Sequence, residues 1–157
     1  DGSFQMDGSD IITSAGLQTG VLRTIVPIVF GLNGTISTAD DYLRGINGTD
    51  PGNYTLPFDC TLIAATLRAD SITMGAGDEH IIEVWKSTGV TASSFTYNET
   101  VLSVTNSDNG NYGKTNTSLS TSYSAGEAIR IYFDVTDITA PSMVDPVVIL
   151  WFLMKAN

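Results

Sequence analysis

The sequence predicts an all-β antiparallel sandwich. Three observations carry the prediction. Strand-like runs recur with turn residues between them, helical periodicity is nearly absent, and the final run is apolar on both of its faces. With 157 residues, 42% of them apolar and only 15% charged, the chain suits one domain with a real core. Its 15 Gly and 5 Pro serve turns and match neither disorder nor collagen.

Strands are expected over 21–30, 60–69, 79–87, 95–105, 114–121, 127–136 and 146–155. The first contains Pro27, which removes a ladder donor and so fits an edge, a bulge or a strand start. The run from Glu127 to Val135 alternates most cleanly, with Ile129, Ile131, Phe133 and Val135 inward and Arg130, Tyr132 and Asp134 outward. Ala39-Asp40-Asp41-Tyr42-Leu43 is the best candidate for a helical turn. Residues 1–20 read as an N-terminal arm with one small hairpin, and 21–157 as the sandwich domain. The sequence opens on Asp1 in place of Met, so a cleavage point or fragment edge is expected there, with further chain upstream.

The last strand, Val147-Val148-Ile149-Leu150-Trp151-Phe152-Leu153-Met154, decides the expected assembly. A half-buried strand alternates apolar with polar, whereas this one needs cover on both faces. Leaving four large side chains in water would forgo about 6–12 kcal/mol per chain, at ~1.5–3 kcal/mol each. That rivals the stability of a small domain, so an obligate oligomer is expected, with Val148, Leu150, Trp151, Phe152 and Met154 as its interface. Trp151→Asp is then expected to abolish assembly or folding.

Several function classes fall away. A net charge of −10 offers no basic patch for nucleic acid or anionic membranes, and no apolar run is long enough for membrane insertion. The single cysteine, Cys60, excludes an intrachain disulfide and reads as a small buried residue at a strand start. His80 is the sole histidine and no Gly-x-Ser-x-Gly surrounds any serine, so no catalytic residue is assigned. One Cys and one His cannot complete a zinc site, and no metal or cofactor is expected. His80 itself reads as a strand-entry residue beside acids, whose loss should leave stability unchanged. The acid pairs Asp40-Asp41 and Asp78-Glu79 read as solvated turns. The run Asn106-Ser107-Asp108-Asn109-Gly110-Asn111 lacks the register and distal Glu of a calcium loop and reads as a tight turn. The Asn-x-Ser/Thr sites at Asn33, Asn47, Asn53, Asn98 and Asn116 follow from an Asn- and Thr-rich composition.

Sugar-binding surfaces combine exposed aromatics with amide and carboxylate groups. Tyr97, Tyr112 and Tyr123 fall in or near turns with Asn98, Asn109 and Asn111, though aromatics on a β surface also pack across strands. Tyr112, Asn109 and Asn111 are the candidate ligand-binding residues. Tyr112 is the one large apolar side chain of its turn and has no obvious core to join.

A set of short motifs adds a resemblance. Gly31-Leu32-Asn33-Gly34-Thr35-Ile36 is followed by Asp41-Tyr42-Leu43, Leu56-Pro57-Phe58-Asp59-Cys60-Thr61-Leu62-Ile63-Ala64-Ala65 and Ile82-Glu83-Val84-Trp85-Lys86-Ser87-Thr88-Gly89. Tyr123-Ser124-Ala125-Gly126-Glu127-Ala128 and Asp145-Pro146-Val147-Val148-Ile149-Leu150 complete the set. In this order they resemble the C-terminal jelly-roll domains of tailed-phage fibre, collar and head-fibre proteins, over about residues 20–157. Lys86-Ser87-Thr88-Gly89 departs from the usual Lys-Asn-Gly turn, and Glu127 stands where Asp is common. The resemblance implies a tumour-necrosis-factor-like sandwich assembled as a homotrimer on a virion. It also implies contact with other virion proteins through the N-terminal arm and with a host surface glycan or protein. A fibre or spike tip that meets the host receptor is the leading expectation, and a capsid decoration or head-fibre protein the alternative.

Overall fold

The computed structural model describes residues 24–37, 43, 52–88 and 94–154 in full, and the backbone of 4–6, 9–13, 16–17 and 41–42. β1 (Phe4–Met6), β2 (Ser9–Thr13) and β3 (Gly16–Leu17) form a small antiparallel meander, where one hairpin was expected.

The body follows with β4 (Ile25–Gly31), β5 (Thr35–Ile36), β6 (Asp41–Tyr42), β7 (Tyr54–Thr55), β8 (Cys60–Arg68) and β9 (Ser71–Thr73). It continues with β10 (Glu79–Ser87), β11 (Thr96–Thr105), β12 (Gly113–Asn116), β13 (Thr121–Tyr123), β14 (Ala128–Thr136), β15 (Ser142–Val144) and β16 (Val147–Met154). Six of the seven expected strands are present to within a few residues, and the remaining one is broken. The run at 114–121 is split into β12 and β13, which pair side by side with β8.

One sheet runs β4–β16–β8 with β12 and β13 on its far edge; the other runs β11–β10–β14 with β6 and β7 on its far edge. Taking each of those edge pairs as one strand, the first, last, third and sixth strands share one sheet, and the second, seventh, fourth and fifth share the other. That order is the jelly roll, two antiparallel sheets face to face. A small sheet of β5, β15 and β9 closes one end. Pro27 sits on the edge strand β4, as its missing donor requires.

The core lies between the sheets. Ile28, Phe30, Leu62, Leu67, Val148, Leu150 and Phe152 from one meet Ile82, Val84, Val104, Ile129, Ile131 and Phe133 from the other. The alternation read from Glu127 to Val135 holds, with Val135 half-buried at the strand's end. Cys60 is buried at the start of β8 and forms no disulfide.

Three expectations are corrected. Asp41 and Tyr42 are not helical: they pair with β14, and the Leu43 amide donates to the Ile131 carbonyl at 3.1 Å. Fully buried Leu43 anchors that edge, so core packing overrides the local helical preference; Ala39 and Asp40 lie outside the described residues. The last strand also divides differently. Val148, Leu150 and Phe152 are at most 1% exposed in the single chain, so they belong to the core and are unavailable to an interface. Met154 is half-buried and packs against the same core, which leaves Trp151 alone of the five on the outward face.

His80 is the third correction. Its side chain is fully buried between the sheets, edge-on to Phe133 at 6.2 Å between ring centroids, with no well-formed hydrogen bond to either ring nitrogen among the described residues. Burial holds its pKa below the usual 6.5, outweighing the backbone of Ser37 and the charge of Asp78, which favour the protonated ring. The ring is thus kept neutral in the fold. As pH falls below about 6.5 the unfolded chain takes up a proton that the folded chain resists, so stability declines with acidification. His80→Ala should cost about 2–4 kcal/mol through the cavity left behind. His80→Leu, which removes the unpaired polar atoms, should stay near wild type and flatten the slope of stability against pH. Denaturant melts of the three chains between pH 7 and pH 5 test this; an equal acid slope in wild type and His80→Leu would count against it.

Candidate functional site

Strand register sorts the loops between the two ends of the sandwich. Ile25 pairs with Leu153, and Cys60 with Met154 and Tyr123, so residue 24 enters at one end. Gly31, Arg68, Gly113 and Val147 align at the other. Tyr112 therefore stands at the end opposite the entry of the N-terminal segment.

That distal end is a network of loops pinned to one another. The Asn109 carboxamide accepts from the Met74 amide at 2.6 Å and donates to the Met74 carbonyl at 2.7 Å, pairing like a neighbouring strand. The Asp145 carboxylate accepts from the Gly34 amide at 2.6 Å, and the Asp145 amide donates to the Gly34 carbonyl at 2.7 Å. The Ala69 amide donates to the Tyr112 carbonyl and the Asp70 amide to the Val144 carbonyl.

A third pin is stronger. The buried Asp78 carboxylate accepts four hydrogen bonds: from the Ile138 and Thr139 amides at 2.7 and 2.8 Å, and from the Gly75 amide and Thr139 hydroxyl at 2.6 Å each. Burial by itself would raise its pKa, but these donors outweigh it and hold the group well below the usual carboxylate range. Asp78 is a buried clasp between two loops, where a solvated turn was expected.

Beside the Asp145–Gly34 and Ala69–Tyr112 contacts lies an open groove of about 330 Å³, lined by Arg68, Ala69, Asp70, Tyr112, Asp145 and Val147. Tyr112 is 66% exposed and carries no side-chain hydrogen bond among the described residues. Arg68 and Asp70 are exposed and likewise without such a bond or an ion pair. Gly113 makes the arrangement possible: a Cβ there would collide with the Leu67 carbonyl and crowd the Arg68 side chain.

Of the three candidate ligand residues, Tyr112 stands free as expected and Asn111 is exposed beside it. Asn109 is committed to Met74 and serves the scaffold. The neighbouring turn is a short 3-10 segment, Asn106–Asp108, in which Asp108 accepts from the Thr105 amide and pairs with Lys114 at 2.9 Å. Burial opposes that charge, but Lys114 and the amide prevail and lower its pKa. No cluster of three or more His, Cys, Asp or Glu side chains that would hold a metal occurs among the described residues.

The other tyrosines divide. Tyr97 is exposed near the opposite end. Tyr123 is buried and donates to Glu99 at 2.5 Å, while Asn98 donates to its hydroxyl at 2.8 Å and Thr121 to Glu99 at 2.8 Å. Burial and then the Glu99 carboxylate push its pKa far up. This group joins β11 to β13 and seals the seam between the sheets. Arg68, Asp70 and Asp145 had no sequence signal as groove residues, because only the register of β8 against β12 and β16 brings them together.

The outward face of the β4–β16 pair is the second candidate surface. Ile25, Pro27 and Val29 stand beside Leu153, Trp151 and Ile149, continued by Ala64 and Thr66 of β8. Ile25 and Val29 are 53% and 38% exposed. The outer face of the other sheet differs, since Trp85 donates to Glu83 at 2.7 Å and packs 5.0 Å from Tyr132, and Arg130 stacks over Trp85 and Phe95. The β4–β16 face is mainly apolar, and no second layer packs on it among the described residues.

No protein-family model matches the sequence, and no curated protein does. Among solved structures, the chain is similar in fold to the capsid of Ralstonia phage GP4, at 15% identity and a TM-score of 0.53, over 85% of this chain and 86% of that one. A weaker likeness, to the crystal structure of FLHE, has 13% identity and a TM-score of 0.33 over 83% and 96% of the two chains. The first likeness is one of fold alone.

Proposed function

We propose that the chain is a non-enzymatic structural protein of a phage particle. It assembles as a homotrimer through the outward β4–β16 face and presents the Tyr112 end to the host. The observation that carries this reading is the outward apolar strip of Ile25 and Val29, exposed, with Ile149, Trp151 and Leu153, half-buried, which no second layer covers among the described residues. Its burial would return the free energy that an exposed strip forgoes, and a rotationally closed set of copies covers it without leaving an open edge. Anchoring to other virion proteins through the N-terminal segment leaves the opposite end, with its preorganised loops, free for recognition. The acidic surface disfavours nucleic acid and anionic membranes.

A second reading, a capsid decoration or head-fibre protein, is favoured by the fold likeness to a phage capsid chain. Two measurements test the proposal. Light scattering at micromolar concentration should return three times the chain mass, and a stable monomer would overturn the assembly. Antibody labelling of intact particles should mark fibre or spike tips; label spread over the shell would favour decoration.

A further inference from the structure

We propose that the groove around Tyr112 binds one ring of a neutral saccharide. The inference rests on the host-contact reading above and adds the ligand class. The groove offers three kinds of group at once: an aromatic face, a guanidinium fork of five donors on Arg68, and carboxylate acceptors on Asp70 and Asp145. Arg68 and Asp70 lie close in sequence and line one groove, yet no ion pair forms between them. Their hydrogen-bonding capacity is therefore turned to solvent.

The chemistry narrows the ligand. An apolar molecule would desolvate the guanidinium and carboxylates with nothing in return, since Ala69 and Val147 are the only aliphatic lining residues. A phosphate or other polyanion would meet two carboxylates for a single Arg, on a chain of net charge −10. A sugar ring fits both demands. Its vicinal hydroxyls donate to carboxylates and accept from a guanidinium, while its C–H face covers the tyrosine ring.

The volume of about 330 Å³ falls at the small end of the roughly 300–1,000 Å³ typical of small-molecule sites, which suits one ring of a longer chain. Tyr112 leads straight into β12, and Asp145 is tied to Gly34 at both its backbone and its side chain. The backbone of the groove is thus fixed in advance, and Arg68 is the main side chain left to order on binding. Single-site affinity for one ring should be weak, and several copies on one particle would raise it by avidity.

The assembled wild-type protein is titrated with glucose, galactose, rhamnose and N-acetylglucosamine, with galacturonate as the anionic comparator, following tyrosine ring resonances by NMR. At least one neutral sugar should bind, with little dependence on added salt. Tyr112→Ala and Arg68→Ala should each weaken that binding roughly tenfold or more, the loss of one hydrogen bond to a charged group or its equivalent. Their melting temperatures should stay at wild type, because neither side chain enters the core. Binding of none of these sugars, tighter binding of galacturonate than of any neutral sugar, or binding that survives both substitutions would overturn the proposal. Particle adsorption separates the two readings. If particles need this protein to adsorb although no sugar binds, host contact stands and the saccharide proposal falls. If a sugar binds but adsorption ignores the protein, the site stands and host contact falls.

Discussion

Trp151→Asp is expected to give a folded chain that no longer assembles, whereas Phe152→Asp is expected not to fold at all. The two positions are adjacent on β16 and point to opposite faces. Phe152 is 1% exposed, packed between the sheets and edge-on to Tyr123 at 5.6 Å. A carboxylate there loses its water and gains no partner, at a cost of several kcal/mol, a large share of the ~5–15 kcal/mol that holds a domain together. Trp151 lies on the outward face, beside Pro27 on one neighbour and Ala64 on the other. Its indole N–H donates to the Thr66 hydroxyl at 3.4 Å. In a single chain an Asp at 151 is hydrated, but in an assembly it is trapped in the dry centre of the contact. Circular dichroism reports the fold and sedimentation the mass. A Trp151→Asp chain that keeps the wild-type mass would remove the β4–β16 face from the interface.

The Asp78 clasp carries the second large effect. Asp78→Asn keeps the shape but places an amide donor where four donors converge, so at least one of those contacts becomes donor against donor. Gly75→Ala attacks the same clasp from the other side, since a Cβ on Gly75 would overlap the Thr139 side chain. Both chains should melt well below wild type, and the double variant should lose less than the sum of the two, because each breaks one shared network. Acid should act likewise. The folded-state pKa of Asp78 is lowered, so its stabilisation is fully present above about 3.8 and is lost as pH falls through the folded value. His80, whose pKa is also lowered, should erode stability from about 6.5 downward, so acid unfolding should proceed in two ranges. A wild-type melting temperature in Gly75→Ala would show that the clasp contributes nothing.

How far the fold was legible follows from which interactions are local. The long strands announce themselves because period-two alternation and turn residues are written along the chain, and Ile129, Ile131 and Phe133 face inward as that pattern dictates. Short strands such as β6, β9 and β15 carry two or three residues each and no readable period. The site was legible in one residue. Tyr112 could be identified as an aromatic without a core because its own turn offers nothing apolar. Asn109 looked equivalent to Asn111, yet its partner is Met74, 35 residues away in sequence.

Composition and alternation by themselves determined an all-β chain, a final strand with more apolar surface than one core can cover, and an acidic exterior. Those properties are sums over neighbours in sequence and survive any arrangement of the strands. Which face of β16 is inside, where His80 and Asp78 are buried, and which charged groups surround Tyr112 were decided by register alone. A shift of one residue along a strand exchanges every inward side chain for its outward neighbour, and a strand apolar on both faces does not reveal which set is which. The packing of Val148, Leu150 and Phe152 against the opposite sheet makes that choice, and with it leaves Trp151 outside.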